Sequence, residues 1–272
     1  MLVNPLTQKA LQHFADNPSH ALLLVGNQYS GADALVNTVI EMLKTHHTVT
    51  HRQIVPSGTG IAIDVVRELR NEEKLKTSRS YGSIASIISI VPIDAMQHEA
   101  QNALLKLLEE PPVGTLFILV CHDESQMLGT IASRCKRVTV LPISKKQALQ
   151  QYGSEPQLDQ LYLMSNGEAL LLELLIQDPN HSVMLSIQNT KQLLRVTLAE
   201  RLSAVDGILK AQKTYDTLDA LERICKAALQ VSGSAQSVWA QNLKETLHAQ
   251  HLLQAKVQPK LVLTNLFCRL SA

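Results

Sequence analysis

The stretch HALLLVGNQYSGAD, residues 20–33, joins a short apolar run to a loop bounded by two glycines. Its apolar part, residues 20–25, has the length and composition of a buried strand in a parallel sheet. The segment that follows the loop, residues 32–43, has the apolar periodicity of an amphipathic helix. A buried strand that leads through a glycine loop into a helix predicts an α/β domain.

The same alternation of strands and helices continues on both sides of this stretch. Further strands are predicted at 52–55, 84–91, 115–120 and 137–141, and further helices at 6–14, 61–70, 97–109 and 128–133. Pro111 and Pro112 end the helix over 97–109, because proline cannot continue a helix. Residues 1–143 are therefore predicted to form an α/β domain with a parallel sheet.

The strand signals stop after Pro142. Residues 144–182 have the pattern of short helices around a turn at Asn166-Gly167, and residues 183–272 hold three or four amphipathic helices. We therefore predict two helical domains, at 144–182 and at 183–272. A length of 272 residues fits two domains or three small ones.

The composition excludes several classes of protein. A hydrophobic fraction of 45% with 18% charged residues provides a core and excludes a mainly disordered chain. A net charge of +1 excludes a global attraction to nucleic acid or to an anionic membrane. The four cysteines form no CxxC pair, so we expect neither a zinc site nor a disulfide framework. The sequence shows no signal peptide and no run of 18 apolar residues, so we expect a cytoplasmic chain without membrane contact.

The loop after the first strand has the glycine spacing of the phosphate-binding motif G-x-x-x-x-G-K-[ST]. Gly26 and Gly31 occupy the two glycine positions, but Ala32 stands in place of the lysine and Asp33 in place of the Ser or Thr. Ala32 cannot neutralise a phosphate, and Asp33 would place a carboxylate beside it. We therefore expect a degenerate phosphate loop without ATP hydrolysis. The alternative, from this stretch alone, is an ordinary loop in which Asp33 only starts a helix.

Further segments resemble a known family. Residues 101–112, QNALLKLLEEPP, strongly resemble the NALLK-x-LEEPP stretch of bacterial clamp-loader AAA+ proteins, the gamma/tau and delta-prime subunits of the DNA polymerase III holoenzyme. Residues 130–135, TIASRC, look like the TI-x-SRC motif of that family, and residues 252–270 are similar to its last helices. The resemblance implies a degenerate AAA+ domain at 1–143, a helical lid at 144–182 and a helical collar for oligomerisation at 183–272.

The register of this resemblance implies that an ATP site has been lost. The magnesium-binding Asp-Glu pair, the Walker B position, falls on Val91 and Pro92, neither of which can bind magnesium. The sensor Thr falls on Cys121 or His122, and the lid carries no sensor Arg after its Asn-Gly turn. Together with the missing loop lysine, these losses favour a delta-prime-like subunit that has no catalytic residue of its own and needs no cofactor.

Arg134 is the family's functional residue that remains. The arginine of the SRC motif reaches across a subunit boundary to a neighbour's ATP, where a guanidinium stabilises the negative charge that develops on the γ-phosphate. The resemblance implies that Arg134 is such an arginine finger in trans, aimed by Ser133 and Cys135. The alternative is an exposed arginine in an ordinary ion pair.

The function implied by the resemblance is support of ATP-dependent loading of the sliding clamp in DNA replication, within a complex that has DNA-directed DNA polymerase activity. Its partners are then the gamma/tau and delta subunits, the sliding clamp and, through the complex, primer-template DNA. Two alternatives stay open: a divergent AAA+ relic that scaffolds another complex, and an active gamma/tau-type ATPase. The charged run at 70–79 is either a contact to the DNA backbone or a solvated loop. His46, His47 and His51 have no suitable fourth ligand nearby, so we expect no metal site.

Overall fold

The computed structural model describes residues 1–57, 60–75, 84–231, 233 and 235–271, with residues 70–75 described by their backbone alone. The chain forms two compact units, one of Met1–Ile143 with Glu168–Leu170, the other of Ser144–Gly167 with Leu171–Ala272. The three-domain assignment, with its boundary between residues 182 and 183, stays a prediction. The side chains of the charged run at 70–79 all lie outside the described part of the chain.

The first unit is built on a parallel sheet in the order β2-β3-β4-β1-β5. Its strands are β1 (Ala21–Val25), β2 (Thr50–Ile54), β3 (Ser86–Ile90), β4 (Thr115–Cys121) and β5 (Lys136–Thr139). The residue Leu23 of β1 lies opposite Leu119 of β4 on one side and Arg137 of β5 on the other. All four predicted strands outside β1 are present, within about two residues of their predicted ends.

Helices alternate with these strands, as predicted. They are α1 (Pro5–Asp16), α2 (Ala32–Lys44), α3 (Ile63–Leu75), α4 (His98–Glu109) and α5 (Gly129–Ala132), with short 3-10 turns at Ile93–Ala95 and Glu124–Gln126. Asn4 caps α1 by accepting a hydrogen bond from the Leu6 backbone N–H, at 2.9 Å. The fold class of an α/β unit with a parallel sheet, followed by an all-α region, is confirmed.

The strands β1, β3 and β4 are buried on both faces of the sheet, because alternate residues of a strand point to opposite sides and both sides are covered by helices. One face carries Leu23, Ile88 and Phe117 against the apolar sides of α3, α4 and α5. The other carries Leu24 and Ile118 against α1 and α2. This burial on both faces explains why β1, β3 and β4 appear in the sequence as nearly continuous apolar runs rather than as alternating patterns.

The described part of the second unit is helical. It comprises α6 (Lys145–Tyr152), α7 (Leu158–Ser165), α8 (Ala169–Gln177, whose first residues belong to the first unit), α9 (Ser182–Arg195), α10 (Leu198–Lys210), α11 (Thr214–Val231), α12 (Gln236–Gln254) and α13 (Pro259–Arg269). From residue 182 onward the described residues form five helices rather than the predicted three or four. One of their boundaries falls at Val196, where Thr197 and Glu200 form a capping box that starts α10.

Buried polar side chains fix the end of the chain in this unit. Arg201 is 5% exposed, and its guanidinium donates to the carbonyl oxygens of Leu193 and Leu194 at 3.0 and 2.9 Å. These carbonyls lie in the last turn of α9, where helix carbonyls lack partners of their own. Asn242 exchanges two hydrogen bonds with the backbone of Ser271, at 2.9 and 3.0 Å. Both residues tie a helix end to its neighbours, so their role is structural.

Candidate functional site

The predicted phosphate loop lies between β1 and α2, at the carboxyl edge of the sheet. Gly31 has a φ of +85° and is the residue before α2, a conformation that favours glycine. A Cβ at Gly26 would lie 2.5 Å from Ser30 Oγ, so the chain folds back tightly over this glycine as well. Both glycines of the motif are therefore required by the loop's own shape.

The amide groups of this loop are largely occupied by the loop itself. The Tyr29 N–H donates to Asn27 Oδ1 at 3.0 Å, and the Ser30 N–H donates to the Asn27 carbonyl at 2.9 Å. The Ala32 N–H donates to Ser30 Oγ at 3.2 Å. The Asn27 side-chain amide in turn donates to Glu168 Oε1 at 2.5 Å. Three backbone N–H groups of the loop thus donate to oxygen atoms of Asn27 and Ser30. In a phosphate-binding loop, such N–H groups donate to the phosphate.

Asp33 and His122 form an ion pair at the same edge of the sheet. His122 follows β4 and Asp33 lies in the first turn of α2, and His122 Nε2 is 2.7 Å from Asp33 Oδ1. The backbone N–H of His122 donates to Asp94 Oδ1 at 2.8 Å. His122 therefore contacts two carboxylates, one through its imidazole and one through its backbone N–H, at one of the two positions that the sequence register gives to a sensor Thr.

The surroundings of this imidazole favour its charged form. The hydrogen bond to Asp33 raises the pKa of His122 above its usual value, the charges of Asp33 and Asp94 add to that effect, and partial burial opposes it. The neighbouring Cys121 thiol is buried at the end of β4, and burial raises its pKa to about 12. The Cys121 thiol is therefore neutral and part of the core at neutral pH. Of the two residues that could occupy the sensor position, His122 is the one whose side chain makes a polar contact.

Val91 and Pro92 follow β3, the strand next to β4, so the structure places them at the same carboxyl edge. The Val91 side chain is 6% exposed and packs in the core on the α1 and α2 side of the sheet. The Val91 backbone N–H donates to the Ile54 carbonyl at 3.0 Å. Neither side chain offers an oxygen ligand, and the carboxylate of this segment is Asp94, which holds His122. Sequence reasoning missed Asp94.

No group of three or more His, Cys, Asp or Glu side chains in the described ranges is arranged to hold a metal ion. His51, one of the three histidines considered above, lies on β2 with its Nε2 at 2.8 Å from Ser89 Oγ. Burial and the nearby Lys44 lower the pKa of His51, which fits a neutral ring hydrogen-bonded to a hydroxyl.

Arg134 belongs to a different part of the first unit, directly after α5. Its Nη2 donates to Glu109 Oε1 at 2.6 Å, and its Nη1 donates to the Thr130 carbonyl at 2.9 Å. Ser133 ends α5, with its hydroxyl also donating to the Thr130 carbonyl, at 2.9 Å. The Cys135 side chain packs against the core, and burial raises its pKa to about 12. Ser133 and Cys135 thus fix the backbone on both sides of a partly exposed guanidinium.

Gln101 is a second residue that sequence reasoning did not single out, although it begins the QNALLK motif. It is 3% exposed, and its side-chain amide donates to the carbonyls of Met96 and Gln126 at 3.2 and 2.9 Å. Its Oε1 accepts a hydrogen bond from the Leu128 backbone N–H at 2.8 Å. Gln101 therefore ties α4 to the segment that leads into α5 and Arg134.

Comparison with known proteins finds similarity over part of the chain. Residues 40–144 match the model of the family described as DNA polymerase III, delta subunit, a stretch that includes Val91, Pro92, His122 and Arg134. The chain is 30% identical over 153 residues to the DNA polymerase III subunit delta' of Yersinia pestis, covering 48% of this chain and 44% of that protein. Part of this chain is thus similar to delta-prime subunits. The resemblance predicted from the sequence is confirmed.

A second delta-prime subunit is similar over about the same share of the chain. The delta' subunit of Escherichia coli K12 is 27% identical over 168 residues, covering 54% of this chain and 49% of that protein. The chain thus spans about half the length of the curated relatives that it matches. A solved structure of a gamma subunit-related protein from Thermotoga maritima aligns over 96% of this chain and 97% of its own, at 16% identity and a TM-score of 0.47.

Among the described residues, no helix is long and apolar enough to cross a lipid bilayer.

Proposed function

We propose that this chain is a delta-prime-like subunit of the DNA polymerase III clamp loader. It supports ATP-dependent loading of the sliding clamp in DNA replication, and it donates Arg134 to the ATP site of a neighbouring subunit. It carries out no phosphoryl transfer in its own phosphate loop. Its partners are the gamma/tau and delta subunits, the sliding clamp and, through the complex, primer-template DNA, which would place the chain in the cytoplasm.

The observation that carries this proposal is the contrast between two sites in the first unit. At the phosphate loop, Asp33 and His122 pair with each other, and Ala32 supplies no positive charge. A carboxylate beside the loop repels phosphate, and this arrangement lacks the lysine and the magnesium ligand that phosphoryl transfer requires. At the other site, the guanidinium of Arg134 is kept partly exposed, with 35% of its side chain accessible.

The hydrogen bonds within the loop support the same proposal. Tyr29, Ser30 and Ala32 each donate a backbone N–H to an oxygen atom of Asn27 or Ser30. Nucleotide binding would have to break these bonds before the amides could reach phosphate oxygens. The Glu168 carboxylate, bonded to Asn27, adds a second negative charge beside the loop. We therefore expect that the isolated chain neither binds MgATP usefully nor hydrolyses it.

Reconstitution with the gamma/tau-type and delta-type subunits of the same organism tests the proposal. The complex is assembled with and without this chain, and ATP hydrolysis is measured with the sliding clamp and primed DNA present. We expect this chain to join the complex and to raise the rate of hydrolysis, while the isolated chain shows no turnover.

Two outcomes would replace the proposal with its alternatives. If the chain does not enter the complex and leaves hydrolysis unchanged, the scaffold of another complex becomes the better account. If the isolated chain hydrolyses MgATP, the chain is an active ATPase, and the loop does not exclude nucleotide.

A further inference from the structure

Arg134 donates to three acceptors, one on α4 and two at α5. Its Nη2 donates to Glu109 Oε1 at 2.6 Å, and its Nη1 donates to the Thr130 carbonyl at 2.9 Å and to Ser133 Oγ at 3.5 Å. Arginine is a long side chain with several freely rotating bonds, so an isolated exposed arginine samples many positions. Contacts on both Nη atoms reduce the number of positions open to the guanidinium of Arg134.

Glu109 is the last residue of α4, and Pro111 and Pro112 follow directly after its neighbour Glu110. The prolines end the helix, so the backbone of Glu109 has a fixed place. A carboxylate in the last turn of a helix is unfavourable for the helix itself, because the carbonyl end of the helix dipole is negative. The position of Glu109 is therefore better explained by its contact with Arg134 than by helix stability.

The Glu109–Arg134 pair leaves two N–H groups of the guanidinium without an acceptor among the described residues. Of its five N–H groups, Nε–H and one N–H of Nη2 make no hydrogen bond within the described part of the chain. The pair is also accessible, with 35% of the Arg134 side chain and 48% of the Glu109 side chain exposed. An oxyanion outside this chain can therefore reach Arg134 while Glu109 stays bound.

We propose that Glu109 is the positioning residue of the arginine finger, holding the Arg134 guanidinium so that its open N–H groups face the phosphate of a neighbouring subunit. This inference rests on the function proposed for Arg134. Glu109 touches neither ATP nor the reacting atoms, and it acts only through the guanidinium. An oriented finger reaches the transition state without first losing rotational freedom, and misplacement of such a group by about 1 Å can lower a rate by about a hundredfold.

The test uses the reconstituted complex with clamp and primed DNA, and compares Glu109→Ala and Glu109→Gln with the neighbouring Glu110→Ala as a matched control. We expect Glu109→Ala to lower the part of kcat that this chain contributes by about tenfold, with the KM for ATP and complex assembly unchanged. Glu109→Gln keeps an oxygen acceptor for Nη2, so we expect it to retain an intermediate rate. Glu110→Ala should leave the rate unchanged.

A double-mutant cycle with Arg134→Ala separates positioning from a general structural effect. If Glu109 acts through Arg134, Glu109→Ala causes no further loss in the Arg134→Ala background. A wild-type rate in Glu109→Ala, or an additional loss in the double variant, would overturn the positioning role while leaving the finger itself intact. If Arg134→Ala leaves the rate unchanged in an intact complex, the finger function fails, and the role of Glu109 fails with it.

Discussion

His122 Nε2 lies 2.7 Å from Asp33 Oδ1, which pairs the residue after β4 with the first turn of α2. The two residues are 89 positions apart in the sequence. The pair lies at the carboxyl edge of the sheet, beside the loop between β1 and α2. The hydrogen bond to Asp33 and the charges of Asp33 and Asp94 raise the pKa of His122, and the His122 backbone N–H donates to Asp94.

This pair makes part of the stability depend on pH. The pKa of His122 is raised in the folded state, chiefly by its hydrogen bond to Asp33. The stabilisation is therefore fully present below the unfolded pKa of about 6.5 and is lost as the pH rises through the higher folded pKa. We expect Asp33→Asn to lower the free energy of unfolding by about 0.5–1 kcal/mol near pH 6, since half of the Asp33 side chain is exposed and screened by solvent. At pH 9 the difference should be close to zero.

Urea unfolding of the wild type and Asp33→Asn at both pH values measures this dependence, and NMR titration of the imidazole reports the pKa directly. Asp64→Asn, which breaks an exposed pair with Arg67, serves as a control without a histidine. An equal difference at pH 6 and pH 9 would show that His122 is not the titrating partner.

Restoring the loop alone should not restore ATP hydrolysis. The double variant Ala32→Lys with Asp33→Thr recreates the motif and removes the carboxylate beside the phosphates. Val91 and Pro92 still offer no carboxylate to hold magnesium or to activate water. We expect this variant to show no turnover as an isolated chain, and wild type to show no micromolar MgATP binding in equilibrium dialysis. Steady ATP hydrolysis by the double variant would mean that other residues of the chain bind magnesium and activate water in place of Val91 and Pro92.

Gln101 is expected to be important for the stability of the first unit. Its replacement by alanine leaves the Leu128 N–H and the carbonyls of Met96 and Gln126 without their present partner in a buried place. Buried unpaired groups of this kind cost about 1–3 kcal/mol, so we expect a loss of about 2 kcal/mol in the free energy of unfolding. Denaturant unfolding measures this loss, with the exposed neighbour Asn102→Ala as the control. If Gln101→Ala lowers the free energy of unfolding no more than Asn102→Ala does, water forms the hydrogen bonds that the Gln101 side chain makes in the wild type.

The sequence predicted the local features and missed the pairings between distant residues. One short stretch, residues 20–33, contains the strand, the glycine loop and the position where the lysine is missing. The helix that Pro111 ends is likewise encoded by consecutive residues, in a separate segment. The Asp33–His122 and Glu109–Arg134 pairs join different elements, so no periodicity or spacing reveals them. The number of helices after residue 182 was underestimated, and one of their boundaries, at Val196, is marked by a capping box rather than by a glycine or proline. The resemblance supplied the role expected of Arg134, and the structure supplied the partner that holds it.

The most direct test of the central claim is the effect of Arg134→Ala on ATP hydrolysis by the reconstituted complex with clamp and primed DNA. The matched control is Arg137→Ala, which removes another partly exposed arginine, paired with Glu124 at 2.8 Å. If Arg134 is a finger in trans, Arg134→Ala enters the complex but loses most of the rate that this chain adds, about tenfold or more, while Arg137→Ala keeps it. A complex that contains Arg134→Ala and hydrolyses ATP at the wild-type rate would contradict the account.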